Sequence, residues 1–179
     1  MSRYFAFLRS INVGGHTVKM ESLRKVCESL GLSDVETFIA SGNLIFQSTG
    51  QEPATLELKI ASGLQNALGY EVATFIRSQA ELTQIAQFQA FPPSELETAA
   101  AFNIAFLSRP LDQAARDKLA ALTTGMDRFV THNREIYWLC QTKQSESTFS
   151  NAVLEKKLGL KSTLRGVNTI QKLAARYAL

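Results

Sequence analysis

The sequence predicts an α+β fold made of two tandem βαββαβ halves. Strand-like and helix-like segments occur twice in the same order, and Pro92-Pro93 interrupts the chain between the two series. The series also end alike, with Thr74-Phe75-Ile76-Arg77 in the first and Ser162-Thr163-Leu164-Arg165 in the second. Such self-similarity indicates an internal duplication. We therefore predict a first half over residues 1–92 and a second half over residues 93–179.

Alternating apolar residues predict four strands in the first half, and apolar residues at helical spacing predict three helices. The predicted strands cover residues 3–9, 35–39, 44–46 and 72–76. The predicted helices cover residues 20–30, 53–68 and 79–88. Pro53 suits the first turn of a helix, and Gly31 and Gly69 stand where helices commonly end. Ala40-Ser41-Gly42-Asn43 has the residue types of a hairpin turn between the second and third strands.

The second half repeats this order. Its predicted strands cover residues 102–107, 128–131, 135–140 and 161–165, and its predicted helices cover residues 111–122, 149–158 and 167–177. His132-Asn133 is predicted to form the hairpin turn. A βαββαβ unit forms a four-stranded antiparallel sheet with its two main helices on one face, which is the ferredoxin-like arrangement. The sequence therefore predicts two ferredoxin-like halves with antiparallel sheets.

The sheet face away from the helices needs a cover, and aromatic residues on the central strands could supply it. These residues are Tyr4, Phe5, Phe7, Phe46, Tyr137 and Trp138. They could instead stack bases, because RNA-binding modules of this topology expose aromatics on their first and third strands. No basic, glycine-rich aromatic motif surrounds them, which favours burial.

Composition and charge restrict the class of protein. A chain with 45% hydrophobic and 20% charged residues is ordinary for a folded globular protein, and neither a signal-peptide core nor a membrane span is expected. Cys27 and Cys140 are far apart without metal-ligand spacing, so we expect reduced thiols and a cytoplasmic location. Residues 1–20 and all residues after Glu155 lack Asp and Glu. If the fold brings these basic ends together, they form a positive surface that favours an anionic ligand or nucleic acid; the alternative is solvated helix faces.

The strongest candidate for a binding site is the segment from Arg9 to His16, a glycine loop between the first strand and the first helix. Arg9 could bind an anion bidentately, and Gly14 and Gly15 would let backbone N–H groups approach it. Asn12 adds an amide, and His16 could act as an acid or base beside the loop. The segment is neither Gly-x-Gly-x-x-Gly nor a Walker loop. In the alternative interpretation it is only a tight turn whose backbone Asn12 satisfies.

Two other segments are candidates to join this site. Ser41 and Asn43 flank the glycine of the first hairpin turn, where a purely structural turn is the alternative. Arg165 and Asn168 lie where the last strand meets the last helix, where helix capping is the alternative for Asn168. Arg77 holds the place of Arg165 in the first half, so a structural role for Arg165 is the other interpretation.

No catalytic residue, metal site or cofactor is predicted. His16 and His132 lie in different halves without metal spacing, and the sequence contains neither a Gly-x-Ser-x-Gly elbow nor a motif of paired carboxylates. Enzymatic activity and oligomeric state are left open.

The segment Phe7-Leu8-Arg9-Ser10-Ile11-Asn12-Val13-Gly14-Gly15-His16, with Ser41-Gly42-Asn43 after it, resembles the bacterial family called domain of unknown function 1697 (DUF1697). The segment Thr163-x-Arg165-x-x-Asn168-Thr169 is similar to the family's C-terminal signature. Ser10 stands where the family often has Gly, and Gly166-Val167 stands where it often has Asn-Trp. The resemblance implies a two-part ferredoxin-like fold, and it implies no catalytic residues because the family has no established activity.

Three functions follow as hypotheses. The first is a cytoplasmic protein that binds a small anionic or phosphorylated ligand where the Arg9–His16 loop meets the Ser41 turn or the Arg165–Asn168 segment. The second is nucleic-acid binding through the basic C-terminal segment. The third is a protein-interaction scaffold, in which the loop residues only shape the fold.

Overall fold

The computed structural model describes residues 1–12, 15, 17–39 and 42–177 of the 179-residue chain. Within these residues the strands are β1 Ser2–Leu8, β2 Ser33–Thr37, β3 Asn43–Ser48, β4 Thr74–Ser78, β5 Ala101–Phe106, β6 Asp127–His132, β7 Glu135–Cys140 and β8 Thr163–Gly166. The helices are α1 Met20–Ser29, α2 Pro53–Leu68, α3 Gln79–Gln87, α4 Pro93–Thr98, α5 Gln113–Ala120, α6 Asn151–Leu158 and α7 Val167–Arg176, with a short 3₁₀ helix at Gln144–Glu146.

The strands form two four-stranded antiparallel sheets, in the orders β2-β3-β1-β4 and β6-β7-β5-β8. The two orders are equivalent, and both are those of a ferredoxin-like unit. The predicted fold class, α+β with two tandem ferredoxin-like halves, is confirmed. Helix α4 and the 3₁₀ helix were not predicted, because six and three residues are too few to show a helical period.

Each sheet packs one face against its own two main helices. In the first sheet, Ala6, Phe46 and Ile76 belong to one core cluster with residues of α1 and α2 such as Leu23 and Ile60. The period of two along each strand puts alternate residues on this face. Phe5, Phe7 and Ile45 are buried as well although they are not in this cluster, so consecutive residues of β1 and β3 are buried.

The core of the second sheet contains a polar cluster around a buried carboxylate. Asp127 accepts hydrogen bonds from the indole N–H of Trp138, with a donor to acceptor distance of 2.8 Å, and from the hydroxyl of Ser147 at 2.9 Å. The Ser147 hydroxyl in turn accepts from the backbone N–H of Phe149. Because a buried polar group without a partner is costly, this cluster is a structural part of the core.

The aromatic rings of the central strands are buried, as the sequence analysis favoured. Phe5, Phe7, Phe46, Tyr137 and Trp138 are at most 1% exposed. Tyr4, which is half-buried, stacks on Phe46 with the ring centres 5.8 Å apart. None of these six rings is therefore displayed as an open base-stacking surface of the RNA-binding kind.

The chain divides into two compact units. Unit 1 contains residues 1–84 and 173–179, and unit 2 contains residues 85–172. This division describes spatial contacts, whereas the predicted boundary between residues 92 and 93 describes the sequence repeat and stays a prediction. Tyr177, near the end of the chain, is thus a part of unit 1, where its ring meets that of Phe5 edge to face.

Several local predictions need correction. His132 is the last residue of β6, paired with Glu135, so the turn itself is Asn133-Arg134. The second strand ends at Thr37 and does not reach Ile39, whose backbone is left-handed with a φ of 63°. Across the described residues, none of the helices is long and apolar enough to cross a membrane.

Candidate functional site

The end of β1 and the β2–β3 turn lie side by side in unit 1. Phe7 of β1 pairs with Asn43 of β3, and the backbone N–H of Leu8 donates to the carbonyl oxygen of Gly42 at 2.7 Å. The sheet register therefore places Leu8, the residue before Arg9, next to Gly42 of the β2–β3 connection. The end of β1 and this connection meet because β1 and β3 are neighbours in the sheet.

A third segment, the connection between α2 and β4, holds the start of the loop. The backbone N–H of Arg9 donates to the carbonyl oxygen of Ala73 at 2.8 Å, and the hydroxyl of Tyr70 donates to the carbonyl oxygen of Ile11 at 2.6 Å. Sequence reasoning missed Tyr70. The one sequence feature that could have indicated Tyr70 is its position directly after Gly69, the left-handed residue that ends α2.

Arg9 is half-buried at the point where β1 leaves the sheet. Its Nη1 donates to the hydroxyl of Ser10 at 2.6 Å. Ser10 has a φ of 60°, in the left-handed region that non-glycine residues seldom adopt. The turn at Ser10 thus sets the direction of the loop directly beside the guanidinium group.

The structure describes two further predicted residues of this loop. Asn12 is exposed, and its Oδ1 accepts a hydrogen bond from the backbone N–H of Val18 at 3.0 Å, which is the loop-closing role foreseen as the alternative. Gly15 is exposed with a φ of 82°, and a Cβ placed on it would meet no atom within 4 Å. Gly14, His16 and Ser41 lie outside the described residues.

Asn43 has a structural contact within the hairpin. It is 4% exposed, and its Nδ2 donates to the carbonyl oxygen of Phe38 at 3.1 Å. The backbone N–H of Phe38 donates back to the carbonyl oxygen of Asn43 at 3.1 Å. Two reciprocal bonds close this turn, so Asn43 orders the turn beside the loop.

Arg165 and Asn168, the other two predicted residues, belong to unit 2. The Nη1 of Arg165 donates to the Thr163 hydroxyl at 2.8 Å and to the Leu164 carbonyl oxygen at 2.7 Å. Burial lowers the pKa of Arg165 to about 10, which still leaves it protonated at neutral pH. Asn168 is exposed as the second residue of α7, so it is inside the helix and does not precede it as a cap would.

Arg77 of β4 repeats the arrangement of Arg165 in the first half. It is fully buried, its Nη1 donates to the carbonyl oxygen of Ile76 at 2.8 Å, and it lies 4.0 Å from the carboxylate of Glu57. Each arginine thus donates to the carbonyl of the residue before it. The repeated geometry favours the structural interpretation of Arg165 over a direct part in ligand binding.

The remaining side chains that could be nucleophiles or metal ligands are the cysteines, histidines and carboxylates. Cys27 and Cys140 are free and buried, and burial raises the pKa of the Cys27 thiol to about 12. In the described part of the chain, no three His, Cys, Asp or Glu side chains are grouped as a metal site would require.

Comparisons with known proteins agree with this fold. The family model described as a protein of unknown function (DUF1697) matches residues 1–137. The solved structure of the conserved bacterial protein SP0830 from Streptococcus pneumoniae is similar, with a TM-score of 0.76, 24% sequence identity and coverage of 97% of each chain. At that identity the likeness shows the fold alone. No curated protein matches the chain.

Proposed function

The chain belongs to the DUF1697 family, and we propose that it binds a small anionic or phosphorylated ligand at the loop that begins with Arg9. The observation that carries this proposal is the placement of a half-buried guanidinium group beside a left-handed turn, at the junction of three loops. A guanidinium recognises carboxylate and phosphate groups through two parallel hydrogen bonds. Partial burial strengthens such an interaction, because the local dielectric is lower than that of water.

The backbone of the loop supports the same ligand class. Ser10 and Gly15 both have positive φ angles. Left-handed residues within a turn can direct successive N–H groups toward one concave side, which makes a nest for an anion. The exposure of Asn12 and Gly15 leaves this part of the loop accessible from solvent.

We propose a cytoplasmic location for this binding protein. Two free, buried cysteines suit a reducing compartment, since paired cysteines are typical of secreted domains of small size. An anionic ligand is complementary in charge to the N-terminal segment, because the charged side chains of residues 1–20 are the basic ones of Arg3, Arg9 and Lys19.

Thermal unfolding in the presence of a ligand panel tests the proposal. The panel contains inorganic phosphate, AMP, ATP, glucose 6-phosphate, citrate and a short single-stranded RNA. A ligand at one hundred times its Kd stabilises the folded protein by roughly 2.7 kcal/mol, which raises Tm by about 5–11 °C in a chain of this size. We expect a shift with at least one small anion and loss of that shift in Arg9→Ala.

A matched variant separates charge at the loop from charge in general. Arg109 lies in the connection that follows β5, as Arg9 lies in the connection that follows β1, but Arg109 is exposed whereas Arg9 is half-buried. Arg109→Ala should keep the full thermal shift, and Arg9→Lys should keep part of it because an ammonium group binds without the bidentate geometry. A shift of equal size in Arg9→Ala and the wild type would contradict the proposal.

Nucleic-acid binding is the second candidate because unit 2 carries exposed lysines near the end of the chain. They are Lys156, Lys157, Lys161 and Lys172. The guanidinium of Arg165 is engaged with Thr163 and Leu164, so it does not extend this surface. This function predicts RNA affinity that decreases steeply with salt and survives Arg9→Ala. If no panel member shifts Tm, a scaffold role becomes the better hypothesis.

A further inference from the structure

Unit 2 contains a cavity of about 260 Å³ that none of the sequence motifs indicated. Its walls come from the last turn of α3 and the segment after it, from α4, from β5 and β7, and from α7. The residues that matter most for its chemistry are Phe88, Phe102, Tyr137, Gln87, Gln89 and Gln171. All of them lie in residues 85–172, so the cavity belongs to unit 2 alone.

Neighbouring rings hold the aromatic wall in place. The Phe88 ring stacks on the His132 ring with centres 4.1 Å apart and an angle of 10° between planes, and its centre lies 5.0 Å from that of Tyr137. Phe102 is fixed in a similar way, by an edge contact to Phe91 at 5.6 Å. Rings that are already fixed need little ordering when another ring packs against them.

The polar groups of the lining are neutral. Among the described residues that line the cavity, none is Asp, Glu, Lys or Arg. A charged ligand would therefore lose its hydration without gaining an opposite charge, which is strongly unfavourable. The Tyr137 hydroxyl already donates to the Ile85 carbonyl oxygen at 3.2 Å, so the exposed glutamines at the rim are the polar groups best placed to meet a ligand.

The size and chemistry together define a ligand class. A volume of about 260 Å³ is close to the lower end of ligand pockets and exceeds the roughly 150 Å³ of an apolar cavity that accepts benzene. A carboxamide presents a donor and an acceptor side by side. We propose that this cavity binds a flat, uncharged aromatic ring system of one or two rings that carries a donor and an acceptor on its edge, as a nucleobase does.

Isothermal titration with adenine, benzamide and benzoate tests this proposal. Benzamide and benzoate share one ring and differ in charge, so they isolate the charge requirement. We expect saturable binding of adenine and benzamide, and binding of benzoate that is at least about tenfold weaker. Absence of saturable binding for both neutral rings would overturn the proposal, as would benzoate binding as tightly as benzamide.

Two variants locate the site. Ala86 lines the cavity from α3, whereas Ala80 is exposed on the same helix and does not line it. Ala86→Leu should fill the cavity and weaken adenine binding by at least about tenfold, and Ala80→Leu should leave it unchanged. Gln171 is exposed on α7, so Gln171→Ala keeps the fold and should weaken adenine binding about three- to tenfold. Wild-type affinity in both Ala86→Leu and Gln171→Ala would rule out this cavity as the site.

Discussion

At the scale of single residues, Ser10 is notable because its backbone adopts a conformation that its residue type disfavours. Its φ of 60° is a conformation that glycine adopts without strain and that other residues seldom adopt. Any side chain with a Cβ is strained in this region by about 1–2 kcal/mol. In Ser10 the hydrogen bond from Arg9 offsets part of that strain.

Substitutions at Ser10 should therefore separate strain from hydrogen bonding. Ser10→Ala keeps the strain and loses the bond, so we expect a loss of about 0.5–1.5 kcal/mol in the free energy of unfolding. Ser10→Gly relieves the strain, and we expect it to be more stable than Ser10→Ala by about 1 kcal/mol. Urea unfolding of both variants measures the difference. Equal stabilities would show that the left-handed backbone at Ser10 is not strained.

The predictability of the candidate site also differs by residue. Arg9 and Gly15 could be identified from sequence because an arginine and glycines between a strand and a helix are a local pattern. Tyr70 could not, because it reaches Ile11 across 59 positions of sequence. Asn43 had a hairpin role as its alternative, and its amide does bond within the hairpin; the sequence does not distinguish this role from ligand contact.

Cys27 gives a prediction about pH. Burial, with a smaller effect of Glu28, raises the pKa of its thiol from 9.0 to about 12 in the folded protein. Above pH 9 the unfolded chain loses this proton and the folded chain keeps it, so the stability decreases as pH rises. The expected slope is about 1.4 kcal/mol per pH unit between pH 9 and pH 12.

Comparison with Cys27→Ala isolates this effect from other groups that titrate above pH 9. The variant should be less stable at pH 7 because it leaves a cavity. At pH 10 the difference in the free energy of unfolding between the variant and the wild type should be about 1.4 kcal/mol smaller than at pH 7, since only the wild type carries the thiol. A gap that stays constant from pH 7 to pH 10 would mean that the Cys27 thiol ionises equally in the folded and unfolded chains.

At the scale of secondary-structure elements, a glutamate on a helix accepts a backbone N–H from edge strand β4 of the first sheet, and another accepts one from the residue directly before edge strand β8 of the second. Glu57 of α2 accepts from the backbone N–H of Ile76 at 2.8 Å, and Glu155 of α6 accepts from that of Ser162 at 2.9 Å. Both are the fifth residue of their helix. Edge strands with unpaired N–H groups invite association with other chains, so these carboxylates protect the sheets as well as tying helix to strand.

Glu57 should matter more than an ordinary surface carboxylate. Glu57→Ala leaves the Ile76 N–H without its acceptor and removes the carboxylate near buried Arg77, so we expect a loss of about 2–3 kcal/mol. Glu57→Gln retains a neutral acceptor and should cost about 1 kcal/mol. Chemical denaturation of both variants provides the measurement.

Glu21→Ala is the control for this pair of variants. Glu21 lies 2.9 Å from Lys25, closer than Glu57 lies to Arg77, but both side chains of that pair are more than 70% exposed. Glu21→Ala should change the free energy of unfolding by at most about 0.5 kcal/mol. If Glu21→Ala and Glu57→Ala lower the free energy of unfolding equally, burial would not explain how much Glu57 contributes to stability.

Helices with a long, clear period were predictable, whereas α4 and the 3₁₀ helix, with six and three residues, were not. Helix α2 has sixteen residues, begins with a proline and ends at a left-handed glycine, so both its ends can be identified in the sequence. The end of β2 was misplaced by two residues because Phe38 and Ile39 are strand-forming types. Their conformation is set by the reciprocal bonds between Phe38 and Asn43, a contact that depends on the turn and is not visible in composition.

At the scale of the whole molecule, the compact units differ from the sequence halves in two respects. Residues 85–92 belong to unit 2, although they precede the boundary of the sequence repeat. The last seven residues belong to unit 1, although they follow the second series of elements. Within unit 1 the ring of Tyr177 lies 5.5 Å from that of Phe5, and its hydroxyl donates to Glu36 at 2.9 Å. Periodicity reports local structure, so a contact between residues 5 and 177 has no signature in the pattern.

Packing of the Tyr177 ring should outweigh its polar contacts. Arg176 also donates to Glu36 at 2.9 Å, but the side chains of that pair are 51% and 41% exposed, and such pairs contribute about 0–1 kcal/mol. Tyr177 itself is 9% exposed, so truncation to alanine should cost about 3–5 kcal/mol. Tyr177→Phe keeps the ring and loses the bond to Glu36, for which we expect about 0.5–1.5 kcal/mol.

Amide hydrogen exchange resolves where this stability is lost. In Tyr177→Ala the amides of Phe5 and Ile45, on paired residues of β1 and β3, should exchange faster, because the ring that packs on Phe5 is gone. The amides of β7 in unit 2 should keep most of their protection, and Tyr177→Phe should change little in either unit. Equal loss of protection in β1 and β7 would instead mean that the chain opens as one cooperative unit, in which the last seven residues stabilise both sheets together.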